Sequence, residues 1–157
     1  MASLGIADYQ LRRGNGRDRP LLEAFMARTL RELGAGLSDG HIAAMVEAHL
    51  SPATPVWWVA DASSDRPIAC LWLGNAQDQR QGDRHAYVML LYVDPDHRRR
   101  GIATALLRVA ETWARRRCDR QIGLQVFPDN EAALALYERR GYTPAALWLN
   151  KPLQNNP

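Results

Sequence analysis

Lysine is nearly absent from this chain: nineteen of its twenty basic residues are arginine, and Lys151 is the only lysine. Genome composition alone produces such a bias, so it carries no functional weight by itself. Cysteine is scarce as well. Cys70 and Cys118 are the only two, too few for a disulfide framework and in no metal-ligand spacing, so the expectation is two reduced, buried thiols and no metal site. No apolar run approaches the ~18 residues of a membrane span. The opening MASLGIADYQLRR lacks a basic region followed by an apolar core, so no secretory leader is read there. Together these absences point to a cytoplasmic protein with no membrane partner.

The 157 residues that remain to be explained are 46% hydrophobic and 24% charged, an ordinary globular balance. That length suggests one domain over 1–157, large enough to bury roughly two-thirds of its unfolded surface. The net charge of +3 is modest. Acidic residues are scattered throughout and no aromatic-basic interleaving occurs, so no nucleic-acid partner is expected.

Periodicity orders the chain. GIADYQLRR reads as a strand. From Pro20, the apolar residues Leu21, Leu22, Phe25, Met26, Leu30 and Leu33 recur at helical spacing until Gly34 stops them. Ser38 or Asp39 caps a second helix containing Ile42, Met45 and Val46, which ends before SPATP. VWWVAD and PIACLWLGN form a hairpin through ASSDR. HAYVMLLYVDP is a near-continuous apolar run, expected as a central strand buried on both faces. A helix follows Gly101 with Ile102, Ala105, Leu106, Val109, Ala110 and Trp113 on one stripe. QIGLQVF alternates as a strand, Asn130 caps a helix reaching to Gly141, and residues 142–149 form a last extended segment. The fold class is α/β: a mixed sheet with helices packed on it.

Two arginine triplets flank the helix after Gly101. Arg115, Arg116 and Arg117 close it, where the helix dipole favours cations. Arg98, Arg99 and Arg100 precede it, where the dipole disfavours them. An anion at the helix start removes that conflict, because the first turn leaves four backbone N–H groups without internal partners. Gly101 then allows close approach of the backbone.

VDPDHRRRGIATALL resembles the pyrophosphate loop of the GNAT superfamily of N-acetyltransferases, Q/R-x-x-G-x-G/A, with Arg98, Gly101 and Ala103 in the fixed positions. About thirty residues on, NEAALALYERRGY is similar to the family's second block through Asn130, Ala133, Tyr137, Gly141 and Tyr142. The resemblance covers nearly the whole chain. It implies a mixed, mostly antiparallel sheet with splayed middle strands and helices on both faces. It also implies acetyl-CoA as co-substrate. Backbone groups of Leu91, Tyr92 and Val93 would pair with the pantetheine arm. The pyrophosphate would lie on the segment Arg98, Arg99, Arg100, Gly101, Ile102, Ala103 and Thr104. Asn130 would reach the cofactor arm, and Tyr137, near the sulfur, would be the catalytic general acid.

The chain departs from that pattern where the family's general-base carboxylates stand. Histone-type members carry a glutamate where this sequence has Tyr87, and ribosomal-protein N-terminal acetyltransferases carry one where it has Gln125. An ordered water, a side chain from the first helices (Glu23, Glu32, Glu47 or His49), or an acceptor that needs little help then remains. His97 is expected to border phosphate or solvent. Trp57 and Trp58 face opposite sides of their strand, and with Trp72 they default to core packing. The implied acceptor is a small amine or amino-acid-like metabolite, with a protein amino terminus or lysine as the alternative. A non-catalytic acyl-CoA sensor is the rival, and a homodimer is compatible with the sequence.

Overall fold

The computed structural model describes residues 2–153. It contains six strands, β1 (Ala2–Ser3), β2 (Tyr9–Arg13), β3 (Val56–Asp61), β4 (Arg66–Gln77), β5 (Arg84–Val93) and β6 (Ile122–Gly123). The helices are α1 (Arg19–Glu32), α2 (Asp39–His49), α3 (Ile102–Arg116) and α4 (Glu131–Arg139). The chain divides into two compact units, Met1–Gln125 and Val126–Pro157. Among the described residues, no helix is long and apolar enough to cross a membrane.

In the first unit the strands lie in sequence order in one sheet. Every neighbouring pair is antiparallel except β5 and β6, which run parallel. Strand alternation sends side chains to two faces. One face carries Val56, Trp58, Cys70, Trp72, Leu90 and Tyr92 under Leu22, Phe25 and Met26 of α1 and Ile42 and Val46 of α2. Phe25 meets the rings of Trp58 and Tyr92 edge-on at 5.2 and 5.4 Å. The other face is covered by α3, whose Leu106, Leu107 and Ala110 are fully buried. Trp57 faces this side and meets Trp113 edge-on at 6.4 Å. The mixed sheet with helices on both faces is thus the architecture expected from the sequence.

The helix ends follow from local chemistry. Ser38 Oγ accepts from His41 N at the start of α2, which satisfies one of the otherwise unpartnered amides. Beyond α1, Gly34 takes a left-handed φ of 72°, the conformation that glycine adopts without a Cβ penalty. β5 alternates buried and half-buried residues, Ala86, Val88, Leu90 and Tyr92 being the buried set.

Three expectations are corrected. QIGLQVF forms a strand only at Ile122 and Gly123, because the ladder with β5 stops after two pairs and no other strand flanks it. Residues 142–149 form no strand: among the described residues no strand pairs with them, and Pro144 has no N–H to donate. Cys70 is buried as expected, but Cys118 is exposed. It follows the end of α3 with a left-handed φ of 63°, outside the packed stripe. Burial raises the Cys70 thiol well above its ordinary pKa, so this thiol is inert.

Candidate active site

The loop between β5 and α3 is built by a 3-10 turn at Pro95–His97, then Arg98 in an extended conformation, then two left-handed residues. Arg99 has φ 64° and Gly101 φ 79°. Gly101 is the N-cap of α3 and has no side chain to cap the first turn. The amides of Ile102, Ala103 and Thr104 therefore open the helix without a side-chain acceptor, as an anion site requires.

The three arginines are not equivalent. Arg98 Nη2 donates to both carboxylate oxygens of Glu32, and its Nε donates to Val93 O at 2.9 Å. Arg100 donates to Tyr9 Oη at 2.9 Å and to Asp96 O at 3.2 Å. Arg99 is exposed and has no partner among the described residues. Internal partners, in addition to any anion, thus make the cationic triplet tolerable at this helix end.

β5 ends beside this loop. Its ladder with β4 is interrupted between Trp72/Leu73, which pair with Leu90 and Val88, so Met89 is an extra residue in β5. Such a bulge bends and twists the strand that carries it. On its other edge β5 pairs with β6 only at Ala86↔Ile122 and Tyr87↔Gly123. From Val88 onward, including Leu91, Tyr92 and Val93, that edge has no strand partner among the described residues. Unpaired backbone groups at an interior edge are the feature that lets an extended ligand add itself to a sheet.

The polar end of β6 is pinned. Asp119 Oδ2 accepts from Ala86 N at 2.7 Å and pairs with Arg117. Burial alone would raise the pKa of Asp119, but Arg117 and the Ala86 amide outweigh it and hold the group below its usual value. Arg120 bridges Asp78 and Asp83 of the β4–β5 turn, and Gln121 Nε2 donates to Asp78 at 2.9 Å. One end of β6 is thereby locked to β5 while the chain beyond Gly123 leaves it.

Where the strands part, β6 carries a glycine. A Cβ on Gly123 would stand 3.1 Å from the ring of His85 and 3.7 Å from that of Tyr87. Burial raises the Tyr87 phenol, and Gln125 is exposed. His85, which the sequence reading passed over, is buried, and its Nδ1 lies 2.9 Å from Ala86 O. A carbonyl only accepts, so Nδ1 is the donor of this bond. The available signal was its place two residues before Tyr87, on the same strand face.

The other expected residues are distributed as follows. Glu23 and Glu47 pair with Arg19, Glu32 pairs with Arg98, and His49 is exposed at the end of α2. His97 Nδ1 lies 2.9 Å from Tyr9 Oη. Trp58 and Trp72 are wholly buried core residues. In the second unit, Asn130 Oδ1 accepts from Ala133 N at the start of α4. Tyr137, half-buried on that helix, tilts against Tyr142 at 5.7 Å, and burial raises its hydroxyl above the ordinary phenol pKa. Gly141 closes the unit's helix with φ 85°.

Residues 22–142 match the model of the Acetyltransferase (GNAT) family. The chain belongs to this family. An uncharacterized N-acetyltransferase of Methanocaldococcus jannaschii is 36% identical over 73 residues, covering 46% of this chain and 30% of its own. Mycothiol acetyltransferase of Beutenbergia cavernae is 34% identical over 92 residues, covering 59% of this chain and 29% of its own. This GNAT chain thus spans about a third of the length of these curated relatives. Among solved structures, a GCN5-related N-acetyltransferase of Ralstonia eutropha is 26% identical with TM-score 0.73, covering 92% of this chain and 98% of its own. A predicted acetyltransferase of Clostridium acetobutylicum solved with acetyl-CoA shares the fold, with TM-score 0.78 at 20% identity over 92% of this chain and 96% of its own. The family uses acetyl-CoA as co-substrate. The uncapped first turn of α3, left-handed Gly101 and free Arg99 fit its pyrophosphate, and the open edge of β5 fits an extended arm.

Proposed function

We propose that this protein is an acetyl-CoA-dependent N-acetyltransferase whose acceptor is the primary amine of a small or amino-acid-like molecule. The observation that carries this reading is the open edge of β5, which starts at the Tyr87–Gly123 pair and ends at the 98–104 loop. Bound acetyl-CoA supplies a thioester carbonyl to the attacking amine. The amides of Arg99, Arg100, Gly101, Ile102, Ala103 and Thr104 hold its diphosphate, with Arg98 held at the loop's base. The edge groups of Leu91, Tyr92 and Val93 orient the arm and stabilise the oxyanion. Because Val93 O is engaged by Arg98, the remaining groups of that edge do this work. Asn130 contributes its amide nitrogen, since its oxygen caps α4.

Attack requires a neutral amine, and His85 Nε2 is the proton acceptor, directly or through one water. Tyr137 is the general acid for the departing thiolate, and its raised pKa keeps it protonated at neutral pH. The small-molecule preference rests on the absence of carboxylates at positions 87 and 125 and on the relative named for mycothiol. The whole of 1–157 acts as one acetyltransferase domain in this reading. Thiol release from acetyl-CoA against a panel of small amines and peptide amines tests it, beside Tyr137→Phe. Turnover with small amines, lost in the variant with coenzyme binding retained, is expected. Binding without turnover on any amine overturns catalysis in favour of a sensor.

A further inference from the structure

A groove runs along α3 in the first unit and encloses about 770 Å³. Arg100, just before α3, and Thr104, Arg108, Thr112 and Arg116 on it recur every four residues along one wall; each such step drifts by about 40° around the helix, so the row winds along the groove. Leu4, Ile6 and Arg13 form the facing wall, with Trp57, Val109 and Trp113 between them. Among the described residues, no aspartate or glutamate lines it. Arg13, Arg108 and Arg116 have no ion pair or side-chain hydrogen bond among those residues, whereas Arg12, Arg28, Arg66 and Arg120 each meet a carboxylate. Unpaired cations gathered along an apolar trough call for an occupant with anionic groups on one side and apolar groups on the other.

We propose that this groove binds an extended acidic peptide segment, with apolar side chains at alternate positions, from a partner protein. Within α3, Thr104 to Arg116 rises about 18 Å along the helix axis, the span of about five to six extended residues, and Arg100 lengthens the wall beyond the helix start. Alternation in such a segment directs carboxylates to the arginine and threonine wall and apolar side chains to the trough lined by Leu4, Ile6 and Val109. A nucleic acid strand fits less well. Its bases need open aromatic faces, but Trp57 is buried and meets Trp113 edge-on, and Arg117 lies over Trp113 at 4.3 Å from the ring centroid. The inference does not rest on acetyl transfer. Arg100, Gly101 and Thr104 at one end belong to the proposed coenzyme loop, so the distal end is the part to test.

The test is fluorescence anisotropy of the full chain with a labelled seven-residue peptide of alternating glutamate and leucine. A glutamate–glycine peptide and a twelve-residue thymidine oligonucleotide are the comparisons. Saturable binding of the first peptide is expected, weakened at least tenfold by Arg108→Glu with Arg116→Glu and severalfold by Thr112→Glu alone. All three side chains are exposed, and thermal melts confirm that the variants fold. Binding should also fall as salt rises, since the ion pairs are at the surface. Acetyl-CoA titration of the same variants should be unchanged. Equal affinity of variants and parent, absence of saturable binding, equal binding of the glycine peptide, or tighter binding of the oligonucleotide each overturns the proposal. Loss of acetyl-CoA binding in the double variant also overturns it, assigning the groove to the coenzyme.

Discussion

Arg98 Nη2 reaches both carboxylate oxygens of Glu32, at 2.8 and 2.7 Å, and so fastens the 98–104 loop to the last residue of α1. Both side chains are 42% exposed, which limits the pair to roughly 0–1 kcal/mol. Its larger effect is on charge, because Glu32 neutralises the arginine nearest the end of β5. Glu32→Gln should lower the melting temperature by no more than about 4 °C and tighten acetyl-CoA binding severalfold at low salt. Calorimetric melts and titrations read the two effects separately. Weaker binding in the variant would mean that the pair positions the loop rather than withholding charge from it.

Gly101 opens α3 with a φ of 79°, and the nearest atom a Cβ would meet is Ile6 Cδ1, at an ordinary 3.9 Å. Its requirement in the folded chain is therefore backbone conformation rather than space. Gly101→Ala should cost about 1–2 kcal/mol of stability, and Gly101→Asn less, because asparagine tolerates the left-handed region. If the diphosphate lies on this loop as proposed, both should bind acetyl-CoA poorly, because the strained backbone displaces the amides that would hold it. If asparagine is as destabilising as alanine, the strain argument fails. If both bind normally, the loop is not where the diphosphate lies.

His85 is the residue whose role a substitution decides. Its Nδ1 is engaged by Ala86 O, which fixes the ring. If Nε2 takes the amine's proton, His85→Gln lowers kcat by roughly 10²–10⁴ while acetyl-CoA binding is unchanged. A merely structural histidine would lower the melting temperature and leave kcat of the folded variant close to that of the parent.

Helix limits were legible because their determinants are local: Ser38 and Asn130 as caps, Gly34 and Gly141 as left-handed stops. The 98–104 loop was legible for the same reason. Periodicity reports a face but never a partner, and there the reading overreached. Residues 122–126 alternate as a full strand, yet two pairs form, because the bulge at Met89 and the pinning of Asp119 decide where β5 and β6 part. The partner of Arg98 lies 66 residues away on α1, a separation no motif encodes. For His85 the one available signal was its place two residues before Tyr87, which no motif singles out.

Asp78 supports the opening of the sheet from a distance, and acid should expose this. Its carboxylate accepts from Gln81 N at 2.8 Å and Arg80 N at 2.7 Å, and also from Gln121 and Arg120 just before β6. The two backbone amides are the largest cause of a pKa lowered to about 2. A carboxylate depressed in the folded state contributes stability that is present above its unfolded pKa, near 4, and lost as pH falls through its folded pKa. The parent should therefore melt above Asp78→Asn at pH 7, with the gap closing between about pH 4 and pH 2. Melting curves of both proteins across that window measure it. A gap that stays constant to pH 2 would mean that the amide keeps none of the turn's geometry, and that shape rather than charge is what Asp78 supplies to the start of β6.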